Sequence, residues 1–87
     1  MTLPAMRIDD FLSTVGVIKR RTIAKELGSN GLLEVNGQKI KPAYQVKLGD
    51  IIVIKGTQGK TIEILNIPTG SVAKADRANY YKELPSV

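Results

Sequence analysis

The sequence predicts an α+β domain: two short N-terminal helices, then four or five short strands, then a C-terminal tail or short helix. Three observations carry this. Ile8, Phe11, Leu12 and Val15 recur at helical spacing. Asn36-Gly37 stands between two short alternating runs, the strongest short hairpin signal. Ile51-Ile52-Val53-Ile54 is apolar on both faces, as expected of a central strand.

The first helix follows Arg7, with Asp9 and Asp10 in its first turn, where carboxylates suit the helix dipole, and Gly16 as its stop. A second apolar stripe, Ile23, Ala24 and Leu27, marks the second helix. Arg21 and Lys25 fall on a flank away from that stripe, and Gly28-Ser29-Asn30-Gly31 ends it. In the hairpin, a two-residue turn at Asn36-Gly37 sets Val35 opposite Gln38, Glu34 opposite Lys39 and Leu33 opposite Ile40. Leu33 and Ile40 then share the buried face, Glu34 and Lys39 pair outside, and Asn36-Gly37 serves only as the turn. Lys41-Pro42 breaks the hairpin, and Val46 to Asp50 turns into the central strand. Thr61–Ile67 is the next strand, with Ile62 and Ile64 alternating inward. Pro68-Thr69-Gly70-Ser71 reads as a linker, and Lys74–Leu84 fits a last helix through Ala78, Tyr81 and Leu84. The organisation expected is a disordered extension over 1–5, a domain over 6–67, and a linker and tail over 68–87.

Composition narrows the function. The 87 residues suffice for one small domain. Net charge is +5 and the sequence pI about 9.7, which favours an acidic partner. The excess lies early: residues 7–47 hold eight Lys/Arg against four Asp/Glu, residues 48–87 five against four. With no cysteine there is no disulfide frame or thiolate chemistry, and with no histidine the commonest general base and metal ligand is missing. No catalytic residue, metal or cofactor is expected. Asp9 and Asp10 are not an acid–base pair, since adjacent helical positions do not face each other. Gly56-x-x-Gly59-Lys60 lacks the spacing and following helix of a phosphate loop. No apolar run approaches the ~20 residues of a membrane span, and Met1–Ala5 is too short for a signal peptide. The expectation is a cytoplasmic, non-enzymatic protein.

Lys19-Arg20-Arg21 stands at the start of the second helix. A helix N-terminus carries partial positive charge, so each cation there normally costs a few tenths to about 1 kcal/mol. Basic clusters are often only solvated surface. This one occupies a disfavoured place with Arg7 and Lys25 close by, which makes sense if a polyanion binds. Lys39, Lys41 and Lys47 are individually weak signals. Packing of Tyr80 and Tyr81 against the sheet is favoured over stacking on bases, and Tyr44 is open between the two.

Met6-Arg7-Ile8-Asp9-Asp10-Phe11-Leu12, Lys19 to Lys25, Gly31 to Gly37, Lys41, Val46 and Gly49-Asp50 together resemble the RNA-binding domain named after the fourth small-subunit ribosomal protein, also called the alpha-L motif. The resemblance covers about residues 6–55. The short chain and its tail, Ala75 to Tyr81, are similar to the free-standing bacterial heat-shock-type and RqcP-like proteins of ribosome-associated quality control. The resemblance implies two helices packed on a small, bent antiparallel sheet, with RNA bound on the helices and adjoining loop. Carried over by position, Arg7, Arg21, Lys25 and Lys41 are its basic residues, Lys19 and Arg20 extend them, and Asp9 orients an arginine. The implied partners are ribosomal RNA and transfer RNA on the large ribosomal subunit, with no membrane and a monomer when free. The chain departs from the pattern at Asp10, where the small proteins carry Lys, and at Val15-Gly16, where they tend to carry Ser-Arg; both changes remove positive charge from the expected face. The competing readings are a DNA-binding or protein-interaction module, and an accessory RNA-binding subunit of an RNA-modifying enzyme.

Overall fold

A computed structural model describes residues 6–56, 59–70 and 72–85. Among them lie helices α1 (Ile8–Thr14) and α2 (Arg21–Ser29), strands β1 (Leu33–Val35), β2 (Gln38–Lys39), β3 (Ile51–Ile54), β4 (Lys60–Ile64) and β5 (Tyr81–Leu84), and a 3-10 helix, Lys74–Asn79, before β5. The strands form one antiparallel sheet in the order β2-β1-β3-β4-β5. The expected extension over 1–5 falls outside the described residues.

The core follows the apolar periodicity. Ile8, Phe11 and Leu12 of α1 and Val15 at its C-cap are buried against Leu33, Val35, Ile52, Ile54, Ile62 and Ile64 of the sheet. Truncating a buried aromatic such as Phe11 to Ala removes about 3–5 kcal/mol. The start of α1 is tied to the sheet side by a backbone clasp. Ile8 N–H donates to Tyr44 C=O at 2.7 Å and Val46 N–H to Met6 C=O at 2.9 Å, with Arg7 and Gln45 bridged between them. That clasp sets Arg7 in extended backbone just outside the helix.

Asn36 and Gly37 both adopt positive φ, 53° and 86°, as a type I′ turn requires, and the hairpin register is the expected one. Three readings around it change. The Glu34 carboxylate pairs with Lys55, which follows β3, rather than with Lys39 on the exposed edge strand. Asn36 is more than a turn residue: its amide donates to Asp50 Oδ1 at 3.2 Å, and its carbonyl oxygen accepts the Ile51 N–H at 3.1 Å. β3 is central, but only Ile52 and Ile54 are buried, because the helices cover one face of the sheet.

Within α2 only Ala24 of the expected stripe is fully buried, Leu27 is half-buried, and Ile23 is 45% exposed. The helix packs chiefly on α1 and reaches the core along a narrow line. It also runs past Gly28 to Ser29, because Gly28 is used for a close approach to the Pro42 ring rather than as a stop.

The C-terminal residues differ most from expectation. Ala78, Tyr81 and Leu84 have helical spacing, yet 81–84 form β5, with Ile64 opposite Tyr81, Glu63 opposite Lys82 and Thr61 opposite Leu84. An unpaired β4 edge would expose a row of backbone donors and acceptors, and β5 satisfies them. Residues 81–84 thus belong to the sheet rather than to a tail. Strand β4 stops at Ile64, after which Leu65 and Asn66 N–H both donate to Tyr80 C=O.

Candidate nucleic-acid interface

The basic residues at the α1–α2 corner are organised around carboxylates. Asp9 is fully buried on α1. The Arg7 guanidinium grips it with two bonds, Nε to Oδ1 at 3.2 Å and Nη2 to Oδ2 at 3.0 Å, the planar geometry that arginine favours. The contact spans two residues, which a helix would forbid. It forms because Arg7 sits in extended backbone at the N-cap and its side chain folds back over the first turn. Asp9 Oδ1 also accepts the Asp10 N–H at 2.8 Å.

Arg21 is the first residue of α2, where its charge is disfavoured by the dipole. Asp10 and Asp9 offset this: Arg21 Nε lies 2.9 Å from Asp10 Oδ1 and 3.8 Å from Asp9 Oδ2. The acid at position 10 therefore does not simply subtract charge from this face; it anchors an arginine that remains 54% exposed. Arg7 is 40% exposed, so both guanidinium groups are held yet present an open edge.

Lys19, Arg20 and Lys25 are exposed and have no carboxylate within salt-bridge distance among the described residues. Arg20 is the N-cap of α2 and makes no side-chain cap bond. Lys41 is exposed beside Pro42, whose carbonyl faces the Asp9 N–H at 3.5 Å and whose ring touches Gly28 of α2. All six basic residues expected from the sequence thus lie on or at the starts of the two helices, on the loop joining them, or beside that Pro42 junction.

The structure adds cations that charge counting along the chain assigned elsewhere. A hollow of about 700 Å³ opens beside the α1–α2 loop, with Ile18, Ile23, Leu27 and Ile54 in its lining and Lys19, Lys55 and Lys60 as its charges. Lys55 and Lys60 come from the basic-poor half of the sequence, brought beside Lys19 by the pairing of β3 with β4. Arg77 also reaches this corner. Its guanidinium lies on Gly16, at the end of α1, from a turn far along the chain. Nothing in local spacing signals that approach.

The tyrosines are structural. Tyr44 donates its hydroxyl to Asp50 Oδ2 at 2.8 Å, and Asp50, itself buried, also accepts the Lys47 N–H at 2.9 Å. Burial first, then the Asp50 hydrogen bond and charge, push the Tyr44 phenol up to about 12. Tyr80 and Tyr81 are partly buried against the core. Among the described residues no group of His, Cys, Asp and Glu could hold a metal ion, and no helix is long and apolar enough to cross a membrane.

Known proteins resemble this chain in sequence and in fold. The S4 domain family matches residues 6–52. The RQC P-site tRNA stabilizing factor of Halalkalibacterium halodurans is 41% identical over 78 residues, covering 88% of each chain. The protein of that name from Bacillus subtilis is 36% identical over 76 residues, 87% of this chain and 88% of the other. Among solved structures, the trimeric Heat Shock Protein 15 of Vibrio cholerae is similar with a TM-score of 0.84 and 28% identity, over 93% of this chain and 83% of that one. The solution structure of a hypothetical protein is similar with a TM-score of 0.78 and 33% identity, over 94% and 100%.

Proposed function

This chain belongs to the S4 domain family, together with the RQC P-site tRNA stabilizing factors, and from that premise we propose that it binds structured RNA through the α1–α2 corner. Its site is the large ribosomal subunit, where it contacts ribosomal RNA and transfer RNA and steadies P-site transfer RNA during quality control of stalled chains. It works in the cytoplasm, as a monomer when free, and without catalysing a reaction.

The observation that carries this reading is the Arg7–Asp9 and Arg21–Asp10 arrangement, flanked by Lys19 and Arg20 with no carboxylate partners among the described residues. The two held arginines present fixed forks to phosphate, which lowers the cost of ordering them on binding. The free cations neutralise further phosphates and release counterions. The corner carries no base-reading motif, so the RNA is recognised by its folded shape and backbone, as structured RNA generally is.

The test is sedimentation with purified large ribosomal subunits on a gradient. The protein co-sediments, and the combined Lys19→Glu, Arg20→Glu, Arg21→Glu variant stays at the top while keeping its thermal melt. Equal affinity for duplex DNA and for ribosomal subunits would overturn the reading in favour of a general polyanion binder.

A further inference from the structure

Gly16 closes α1 with a φ of +79°. A Cβ on it would meet the Arg77 guanidinium at 2.3 Å from Cζ, 2.5 Å from Nε and 2.7 Å from Nη2. The guanidinium therefore occupies the space that a side chain at position 16 would fill, pressed against the glycine backbone. Its Nε is buried with no hydrogen-bond partner. Arg7 and Arg21 each have a carboxylate, whereas no carboxylate lies within salt-bridge distance of Arg77 among the described residues. A guanidinium that is partly desolvated and unpaired has lost hydration without return. The Nη groups, which are not among its buried unpaired atoms, are the donors left for an incoming anion.

The surroundings favour an anion. Gly16 borders the hollow that holds Lys19 and Lys60, with Lys55 beside them paired to Glu34. Arg77 borders a second hollow with Lys74 and Lys82, where Glu83 is the acid in the lining. Arg77 lies at the meeting point of the two, next to the α1–α2 loop.

We propose that Arg77 is a further phosphate-binding residue of the RNA interface, delivered from the C-terminal 3-10 helix onto the α1–α2 corner through its seat on Gly16. The proposal rests on the RNA-binding reading. The absence of a Cβ at Gly16 lets the guanidinium lie against the backbone, so its position is set before RNA arrives. The C-terminal segment then has two tasks: β5 closes the sheet edge, and the turn before it carries a cation to the interface.

The experiment titrates purified large ribosomal subunits with the full chain over 50–200 mM KCl, comparing wild type, Arg77→Gln, Arg77→Lys and Arg21→Ala, with a thermal melt of each. One lost phosphate contact lowers the magnitude of the log–log salt slope by about 0.7–0.9, and a lost charge-assisted bond weakens binding about tenfold. Arg77→Gln shows both effects per folded molecule. Arg77→Lys restores the slope but not the affinity, because ammonium lacks the planar fork. If Arg77→Gln melts below the assay temperature, Arg77→Lys decides, and wild-type affinity in that variant overturns the guanidinium contact. Unchanged slope and affinity in Arg77→Gln, with Arg21→Ala weakened, overturn the proposal and leave Arg77 a packing residue. If Arg21→Ala is also unchanged, the RNA reading of this corner falls and the proposal with it.

Discussion

Arg7 holds Asp9 by two bonds, at 3.2 and 3.0 Å, although Asp9 is fully buried and Arg7 stands outside the helix that Asp9 belongs to. The pair joins the α1 start to the interface, because the same carboxylate lies 3.8 Å from Arg21 on α2. A buried acid thus positions two arginines that face solvent.

Asp9→Asn is therefore expected to weaken RNA binding several-fold even though it raises the net charge from +5 to +6. The amide keeps the Asp10 N–H acceptor but grips the guanidinium less well. Folding stability falls as well, by about 1–2 kcal/mol, since bonds to charged groups contribute roughly 1.5–3 kcal/mol and Arg7 is partly solvated. RNA titration beside a melt checks this. Tighter binding in the variant would mean that only total charge matters and that the orientation of the arginines is irrelevant.

Salt dependence tests the interface as a whole. If Arg7, Lys19, Arg20, Arg21 and Lys25 together make about four phosphate contacts, the log–log slope of affinity against salt is about −3 to −4. Arg21→Ala removes one contact and shifts the slope by about 0.7–0.9. Its melt changes little, because the Arg21–Asp10 pair is half exposed and such pairs contribute at most about 1 kcal/mol. A slope near zero in the wild type would remove electrostatics from the mechanism.

How legible this site was depends on how local its causes are. Ile8, Phe11, Leu12 and Val15 announce α1 because one helix face must be apolar to be buried, and that spacing is written in adjacent turns. The Asn36-Gly37 hairpin is legible for the same reason. The positions of Lys19 to Arg21 at a helix start were legible too, but their partners were not, since the Asp10–Arg21 contact depends on how α1 and α2 pack. Ile23 belongs to the apolar stripe of α2 and is yet 45% exposed, because helical spacing gives the stripe but not its depth against a neighbour. Tyr81 to Leu84 carry a spacing compatible with a helix, and only the free edge of β4 selects a strand. Arg77 on Gly16 is the extreme case: the contact joins the end of α1 to the 3-10 helix before β5, and no local pattern encodes it.

Alkaline pH tests the burial of the Tyr44 phenol together with its hydrogen bond to Asp50. With the folded-state phenol at about 12 against an ordinary value of 10.0, folding favours the protonated form. That contribution is complete below pH 10 and is lost as pH rises from about 10 to 12, as the unfolded chain gives up a proton that the folded chain retains. The Tm of the wild type should then fall more steeply across that window than the Tm of Tyr44→Phe, which has no proton to lose there. The tyrosinate absorbance missing from Tyr44→Phe should appear near pH 12. Parallel Tm curves would show that neither burial nor Asp50 holds the phenol in its protonated form.

Gly28→Ala gives a test whose sign separates local propensity from packing. In a solvated helix interior, alanine gains up to about 1 kcal/mol over glycine. Gly28, however, is buried in α2, and a Cβ there would lie 2.8 Å from Pro42 Cγ, 3.0 Å from Cδ and 3.1 Å from the Pro42 nitrogen. The proline ring cannot swing aside, because its φ is locked. Nor is the backbone free to retreat, since the Pro42 carbonyl faces Asp9 N–H at the start of α1 and Tyr44, two residues on, holds Ile8 N–H. The overpacked methyl should destabilise the domain by about 1–3 kcal/mol, lowering Tm by roughly 4–8 °C for each. It should also weaken RNA binding per folded molecule, because the strain falls on the segment that positions Arg7, Asp9 and Lys41. A rise in Tm would show instead that α2 shifts freely over Pro42, and that the junction between the helices and the sheet is looser than these distances require.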